Sequence, residues 1–430
     1  MPDLIAKQLP NGLRVVIDPM PQVASATLSL WVDGAAYLNQ PDFIPGLPHF
    51  VEHMTFKGTH NRTKVEIFEA IETSGGHLNA MTDKESTCFY AKVLTEQVPV
   101  CLDVLLDLVS RPLFDQNELA LERQVILQEV LQHEDSRNHP VFEHFIQSVW
   151  PQHPLGQPVL GTTESVRQIG QNDLTRYHQQ FYRPCNMILS IAGHVDIDGI
   201  LAQLSQWERA LDPKETAHKA ISDILPHYHP VQEHLEKEMG QVHLCLGSGV
   251  FGVKDPKRFT LAVIDVALGQ GMNSRLLNTL RQQEGWIYSA STFEVMYQQA
   301  GLFGVYIRTS AERFEAVQKR LFESLETLRT ESFSAEEWSR AQKKLSGNLM
   351  LNLESSQFRA IRNARNALYH GRQISADEVR DHVLSLGPKD AHVVLEEWLE
   401  PSLLSCITAG TSGSPERSKG ETATCQKIMA

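Results

Sequence analysis

The chain of 430 residues lacks any run of about 20 apolar residues, the length that a helix needs to cross a bilayer. It also lacks an excess of positive charge, because 39 Lys and Arg stand against 52 Asp and Glu, a formal net charge of −13. Binding to the phosphates of a nucleic acid depends on Lys and Arg. The composition therefore predicts neither a membrane span nor a nucleic-acid partner.

Cysteines are few, and no two of them form a Cys-x-x-Cys pair. This scatter indicates reduced, buried thiols in a reducing compartment. The amino terminus, MPDLIAKQLPNGLRVV, has neither a basic leader with an apolar run of signal-peptide length nor an Arg-rich amphipathic presequence. We therefore expect a cytoplasmic protein. The six cysteines are Cys88, Cys101, Cys185, Cys245, Cys406 and Cys425.

Length and composition predict a globular protein of two domains. Hydrophobic residues make up 42% and charged residues 21% of the chain, values typical of folded domains, and one ordinary core would not accommodate the whole length. Regular patterning dissolves between residues 211 and 230, which we interpret as the interdomain linker. Residues 1–210 and 231–412 are the predicted domains, and 413–430, rich in Ser, Gly, Thr and charge, a predicted disordered tail.

The stretch GLPHFVEHMTFKGT, residues 46–59, carries the clearest chemical pattern. His49 and His53 are four residues apart and Glu52 lies three beyond His49, so a helix would turn all three side chains to one face. Two imidazoles at this spacing can hold one Zn²⁺, and a carboxylate beside the ion can take a proton from its bound water. The order HxxEH is the inverse of HExxH and is typical of one class of zinc peptidases.

A structural helix is the alternative explanation of the same stretch. In a chain with 18 His, the string can arise by chance. His49 and His53 would then be partly buried and hydrogen-bonded without a metal.

A third ligand is sought in the helix predicted from NELALERQVILQEVLQHE. Glu122 and Glu129 are seven residues apart, two turns on the same face of that helix. One of them could be the third zinc ligand and the other could accept a hydrogen bond from an imidazole N–H, unless both are simply surface residues. Four residues near the end of this helix are rival ligands: His133, Glu134, Asp135 and His139.

The second half of the chain repeats the layout of the first. SFSAEEWSRAQKKLSGNLM echoes LFDQNELALERQVILQEV, and SCITAG echoes ILSIAG. The copy lacks the candidate ligands and is therefore predicted to be metal-free. Residues opposite His49, His53, Glu122 and Glu129 in a rough self-alignment are Thr260, Ile264, Ala341 and Asn348.

Over nearly its whole length the chain resembles the pitrilysin/insulinase family of zinc metallopeptidases, above all the short members that include the mitochondrial processing peptidases and bacterial relatives. The resemblance implies an α+β fold of two homologous α/β-sandwich-like domains, each a mostly antiparallel sheet flanked by helices, joined by the linker into a clamshell. Matching stretches include LPNGLRVV, GLPHFVEHMTFKGT, GGHLNAMTDKESTCFY, ERQVILQEV, HPLGQPVLGTTESV, MILSIAGHVD and GQGMNSRLLNTLRQQEGWIY.

The same resemblance implies one Zn²⁺ per chain, with His49, His53 and Glu129 as its ligands. Glu52 would polarise the catalytic water, and Glu122 would support the ligands.

Four further residues match positions that contact the substrate in the family. Asn79 and Ala80 match the edge-strand segment along which family members lay an extended peptide. Arg281 and Tyr288 match a pair from the second domain, of which the tyrosine would hydrogen-bond the carbonyl under attack.

The function implied is a zinc-dependent endopeptidase acting on short or unfolded polypeptides. Two alternatives are a subunit of a heterodimeric processing peptidase that needs a partner chain and a non-catalytic structural relative. Split pairs in this family tend to divide the zinc motif and the Arg/Tyr pair between two subunits. Because this chain carries both, we expect a homodimer.

Overall fold

A computed structural model describes residues 4–40, 42–135, 139–210, 225–282 and 285–411. Residues 211–224 of the predicted linker, the predicted tail and Cys425 lie outside this part of the chain. The chain divides into two compact α+β units, as the fold prediction requires. Unit 1 comprises Met1–His133, Gln157–Ile224 and Asn352–Gln373, and unit 2 comprises Glu134–Gly156, Leu225–Leu351 and Ile374–Ala430.

The strands in chain order are β1 Ile5–Gln8, β2 Arg14–Pro19, β3 Ser25–Asp33, β4 His77–Thr82, β5 Ser86–Leu94, β6 Met187–Gly193, β7 Gln232–Glu236, β8 Val242–Phe251, β9 Ile287–Met296, β10 Ala300–Thr309 and β11 Ser405–Gly410. The helices are α1 Leu47–Thr55, α2 Lys64–Glu72, α3 Val98–Ser110, α4 Gln116–Glu134, α5 His139–Val149, α6 Thr163–Gln168, α7 Gln171–Phe181, α8 Ile197–Ala210, α9 Arg258–Gly269, α10 Arg275–Leu277, α11 Phe314–Glu331, α12 Ala335–Asn352, α13 Ser356–Arg365, α14 Ala376–Ser385 and α15 Pro388–Trp398.

The sheet of unit 1 has the strand order β1-β2-β6-β3-β5-β4. Its neighbours pair antiparallel except β2 and β6, which are parallel. The hairpin between β1 and β2 turns at Asn11-Gly12, where Gly12 has φ +91°, a conformation that glycine adopts without steric cost. Strand β6 is buried along its length, as a central strand must be. Strand β4 lies at an edge.

The sheet of unit 2 has the order β7-β11-β8-β10-β9, and only β7 and β11 are parallel. This order repeats that of unit 1 strand for strand, from β2-β6-β3-β5-β4. The internal repeat of the sequence therefore corresponds to a repeat of topology, with β9 as the counterpart of edge strand β4.

Two helices belong to the unit formed mainly by the other half of the chain. Helix α5 belongs to unit 2 and packs on β8 and β11, whereas α13 belongs to unit 1 and packs on β2, β3 and β6. The sequence-based division at 211–230 groups both helices with their neighbours in the chain. Nothing in their composition reveals which sheet each one covers.

Helix α13 is joined to strand β2 by a largely buried polar contact. Asp18 Oδ1 lies 2.9 Å from Arg359 Nη1, and Oδ2 accepts a hydrogen bond of 3.0 Å from Asn363 Nδ2. The side chains of Asp18 and Arg359 are only 14% and 13% exposed. Removing one charge from such a pair leaves the other without compensation in a poorly solvated place.

Membrane spans and cysteines were both anticipated from composition. In the part of the chain that the structure describes, no helix is both long and apolar enough to cross a membrane. Cys88, Cys101, Cys185 and Cys245 are buried free thiols, as predicted, and Cys406 is buried as well.

Replacing Asp18 with Asn tests the attachment of α13. The variant loses the charge opposite Arg359 and turns an amide N–H₂ towards one of the two donors, so we expect the free energy of unfolding to fall by about 2 kcal/mol. Urea denaturation of the full chain measures it. The control is Asp42→Asn, which removes half of an exposed ion pair with Arg176 and should cost less than about 0.5 kcal/mol. Equal midpoints for both variants would contradict the importance of this contact.

Candidate active site

Helix α1 presents the HxxEH residues because its other face is fixed in the core. Phe50, Val51 and Met54 are completely buried. The helix begins after Gly46, which has φ +85° and approaches the chain so closely that a Cβ would lie 2.7 Å from the carbonyl oxygen of Leu160. A side chain at position 46 would therefore shift the helix that carries both histidines.

Helix α4 brings the two candidate carboxylates to the same place. Its buried residues Leu119, Ile126 and Val130 pack it into the core of unit 1. Glu122 is buried with them, whereas Glu129 is 37% exposed at the side chain. One carboxylate is thus enclosed by protein and the other remains accessible.

Three ligand atoms converge between the helices. His49 Nε2 and His53 Nε2 are 3.1 Å apart, and Glu129 Oε2 lies 3.9 Å from the first and 3.6 Å from the second. Ligands about 2.0–2.1 Å from one tetrahedral Zn²⁺ would be about 3.4 Å from one another. Among the described residues, these three form the one cluster of His, Cys, Asp or Glu that could hold a metal ion. The described rivals His133, Glu134 and Asp135 are not part of it.

The protonation of this cluster also fits a cation. His53 Nδ1 lies 2.8 Å from Glu122 Oε1, and because a carboxylate only accepts, Nδ1 carries the proton and Nε2 faces the cluster. Burial, together with the neighbouring charge of His53, lowers the pKa of His49 to about 3, so His49 is neutral. Burial also lowers the pKa of His53, but the hydrogen bond to Glu122 and the charge of Glu129 raise it above its ordinary value. A metal at Nε2 would take the position of that additional proton.

Glu122 joins His53 to a residue that the sequence analysis did not select. Its Oε2 lies 2.5 Å from Lys57 Nζ, and both side chains are mostly buried. Burial raises the pKa of Glu122, but the hydrogen bonds from His53 and Lys57 outweigh it and hold the pKa below its ordinary value. The signal for Lys57 was present in the sequence, since it follows His53 by the same four residues that separate His53 from His49.

Glu52 lies on the same helix, almost completely buried. Burial, reinforced by the charge of Glu129, raises its pKa above the ordinary value, although a hydrogen bond from Thr82 Oγ1 to Oε2 opposes the shift. A carboxylate with a raised pKa accepts a proton more readily. Thr82 was also missed, and its alternation with Ala80 along β4 is the only sequence signal for it.

Strand β4 provides an unpaired edge next to Glu52. Asn79 and Ala80 lie in its middle, opposite Tyr90 and Phe89 of β5. The Ala80 N–H donates to the side-chain oxygen of Asn79 at 2.8 Å. On its other side β4 pairs with no strand in the described part of the unit 1 sheet. Such an edge can add one more extended strand by backbone hydrogen bonds.

Two family profiles match the chain in succession. Residues 14–163 match the profile of insulinase (Peptidase family M16), and residues 168–345 match that of the peptidase M16 inactive domain. An uncharacterized zinc protease of Bacillus subtilis, YmxG, is 33% identical over 86% of this chain and 89% of its own length. This chain belongs to the insulinase family, peptidase family M16. The family resemblance noted in the sequence is thereby confirmed.

Solved structures share the fold of this M16 chain. A peptidase M16 inactive domain from Pseudomonas fluorescens superposes with a TM-score of 0.87 at 18% identity, covering 95% of this chain and 98% of that one. A protease from Helicobacter pylori also has a TM-score of 0.87, at 20% identity, and the match covers 95% and 99% of the two chains. At these identities the likeness establishes the fold alone. The cluster of His49, His53 and Glu129 lies in the stretch matched to the insulinase profile, not in the inactive-domain stretch.

Arg281 and Tyr288 lie in unit 2 of this M16 chain, within the inactive-domain stretch. Arg281 belongs to the helical turn Asn278–Gln282. Tyr288 is the second residue of β9 and is 67% exposed, with the guanidinium of Arg308 5.2 Å from its ring centroid. Their contact with a substrate remains a prediction.

Replacing Glu122 with Gln tests whether the Glu122 carboxylate supports the metal cluster. Gln cannot accept from both His53 and Lys57 with carboxylate oxygens, so the imidazole loses its orientation and basicity, and we expect zinc affinity to fall about 10- to 100-fold. Competition with a chromophoric chelator measures it. Glu118→Gln, one turn earlier on the same helix, is the control and should bind like the unaltered chain. Unchanged affinity in Glu122→Gln would show that this carboxylate does not support the ligands.

Proposed function

We propose that this M16 chain is a zinc-dependent endopeptidase that hydrolyses peptide bonds in short or unfolded polypeptides. The observation that carries the proposal is the convergence of two imidazole nitrogens and the Glu129 carboxylate directly beside the buried Glu52. The relatives named zinc proteases add support from outside the chain.

Charge balance favours a divalent cation at this place. Glu52, Glu122 and Glu129 carry three negative charges when ionised, and Lys57 carries one positive charge. With both histidines neutral, two negative charges are left for a divalent cation to neutralise. A zinc ion held by His49, His53 and Glu129 supplies an acidified water and a Lewis acid for the scissile carbonyl.

Glu52 is the proposed general base. Thr82 occupies its Oε2, so Oε1 is the oxygen available to take the proton of the attacking water. The raised pKa of Glu52 suits a group that holds this proton and then passes it to the leaving amine. Thr82 fixes the carboxylate and therefore sets the direction of both transfers.

The substrate is proposed to bind as an extra strand on the free edge of β4, near Asn79 and Ala80. Thr82 ends this strand and contacts Glu52, so a peptide paired with β4 runs past the general base. A substrate carbonyl could accept from the Ala80 N–H in place of the Asn79 side chain. Backbone pairing demands little of the sequence but requires an extended chain. Folded proteins should accordingly be poor substrates.

Tyr288 and Arg281 are proposed to complete the site from unit 2. The exposed phenol of Tyr288 would donate a hydrogen bond to the carbonyl oxygen as negative charge develops on it, and Arg281 would add positive charge. These roles rest on the match to the family pattern.

Glu52→Gln tests the chemistry. Gln preserves the shape of the side chain but cannot accept a proton, so we expect kcat on an unstructured peptide to fall about 10³-fold. Zinc content should stay unchanged because Glu52 is not one of the three clustered ligands. The control is Glu69→Gln on the exposed face of α2, and a chelator should abolish cleavage by the unaltered chain reversibly.

Three outcomes of that experiment would exclude the proposal or modify it. Cleavage that survives Glu52→Gln or chelation would refute metal-assisted hydrolysis. Activity that needs a second protein would favour the heterodimeric alternative. Absence of activity with any tested peptide or partner would favour the structural relative.

N-methylation of the substrate backbone tests the pairing with β4. In an added strand every second amide faces its neighbour, so single methylations along a good peptide substrate should lower kcat/KM about tenfold at alternate positions. Methylation at the positions between should have little effect. Alanine substitutions at the same residues separate side-chain preference from backbone pairing. A uniform response along the peptide would rule out the added strand.

A further inference from the structure

Tyr288 lies in a β-bulge of the edge strand β9. Arg308 of β10 pairs with Ser289, and the next residue, Thr309, pairs with Ile287, so the register skips Tyr288. A bulge bends the strand and gives the extra residue a new direction. The result here is a tyrosine that is 67% exposed at the rim of the unit 2 sheet.

Arg308 covers the ring of this tyrosine. Its guanidinium carbon is 5.2 Å from the ring centroid of Tyr288, and its Nε donates to Ser289 Oγ at 2.8 Å. The guanidinium is thus anchored to the residue next to the bulge while it stacks on the phenol. Arginine suits such a place because its planar group can donate hydrogen bonds and stack on an aromatic ring together.

The residues behind Arg308 leave its charge directed at this ring. In β8 the residue paired with Arg308 is His243, which is buried and whose Nδ1 lies 2.5 Å from the hydroxyl of Tyr306. Burial, with a smaller contribution from Arg308, lowers the pKa of His243 to about 4. The imidazole is therefore neutral and does not repel the guanidinium.

We propose that Arg308 is a positioning residue for Tyr288, and that the bulge and the stacked guanidinium together hold the phenol hydroxyl ready to donate. This rests on the proposed function, in which Tyr288 donates to the carbonyl under attack. A donor of this kind is effective only if it is already aimed where charge develops. An exposed tyrosine on a regular strand would instead sample several rotamers, and part of its binding to the transition state would be lost in ordering it.

A double-mutant cycle on the full chain tests the proposal. We expect Tyr288→Phe to lower kcat about 100-fold, and Arg308→Met to lower it about tenfold with KM within about twofold, because misdirection affects the transition state more than substrate binding. When Arg308→Met is added to Tyr288→Phe, it should have no further effect, since it acts through the hydroxyl. Arg308→Lys, which retains charge but not the planar group, should be intermediate. A tenfold loss on Arg308→Met both with and without Tyr288→Phe would overturn the proposal.

A second measurement is independent of activity. With ¹³C-labelled tyrosine rings, the Tyr288 resonance is the one absent from Tyr288→Phe among the nine tyrosines of the chain. It should shift in Arg308→Met and stay in place in Arg313→Met, which removes an exposed arginine from the same unit. An unchanged Tyr288 resonance in Arg308→Met overturns the positioning role by itself. An unaltered chain that cleaves no peptide overturns the proposed function instead, so the two failures are distinguishable.

Discussion

The buried carboxylate of Glu122 is the contact on which the site depends. It accepts from His53 on one oxygen and from Lys57 on the other, and it thereby joins α1 to α4 inside the core of unit 1. Without the ammonium of Lys57 the carboxylate would be a poorly solvated charge, and without the carboxylate His53 would have no fixed tautomer. The open side of α4 can then present Glu129 to His49 and His53.

The metal-free copy shows what the same architecture does without this contact. Thr260, Ile264 and Ala341 stand opposite His49, His53 and Glu122 in the self-alignment, and all three are buried. Ile264 and Ala341 belong to the hydrophobic core of unit 2. A helix pair can therefore be held by apolar packing alone, and the polar contact in unit 1 is not required merely to join two helices. Its cost in desolvation is reasonable only if the imidazole has to be oriented for a ligand.

Periodicity predicted the faces of the site but not the pairing across it. The spacing of His49, Glu52 and His53 fixed their common face, because helical geometry is local. Spacing could not decide which of Glu122 and Glu129 meets the imidazole nitrogens at the cluster, since that depends on how far α4 slides along α1. His53 and Glu122 are 69 residues apart in sequence, and no local rule reaches so far.

Strand order, the hairpin at Gly12 and the repeat were accessible to sequence reasoning because turn chemistry and hydrophobic alternation are short-range signals. The exchange of α5 and α13 was not. An amphipathic helix records that one of its faces is buried, but it does not record which sheet buries it. The bulge at Tyr288 was equally hidden, since one extra residue in a strand leaves composition unchanged.

This exchange explains why the metal-free half remains necessary to the half that carries the ligands. Helix α13 follows α12 in the chain, yet its buried residues Ala360 and Ala364 cover the sheet of unit 1, and Arg359 is paired with Asp18 there. Strand β3, one of the strands that α13 covers, pairs with β5, and β5 in turn pairs with β4, which carries Thr82. A loss of α13 would therefore uncover the strands that position the edge beside Glu52, although no residue of α13 is part of the metal cluster. The second half of this chain can lose every ligand and still be required for the geometry of the first.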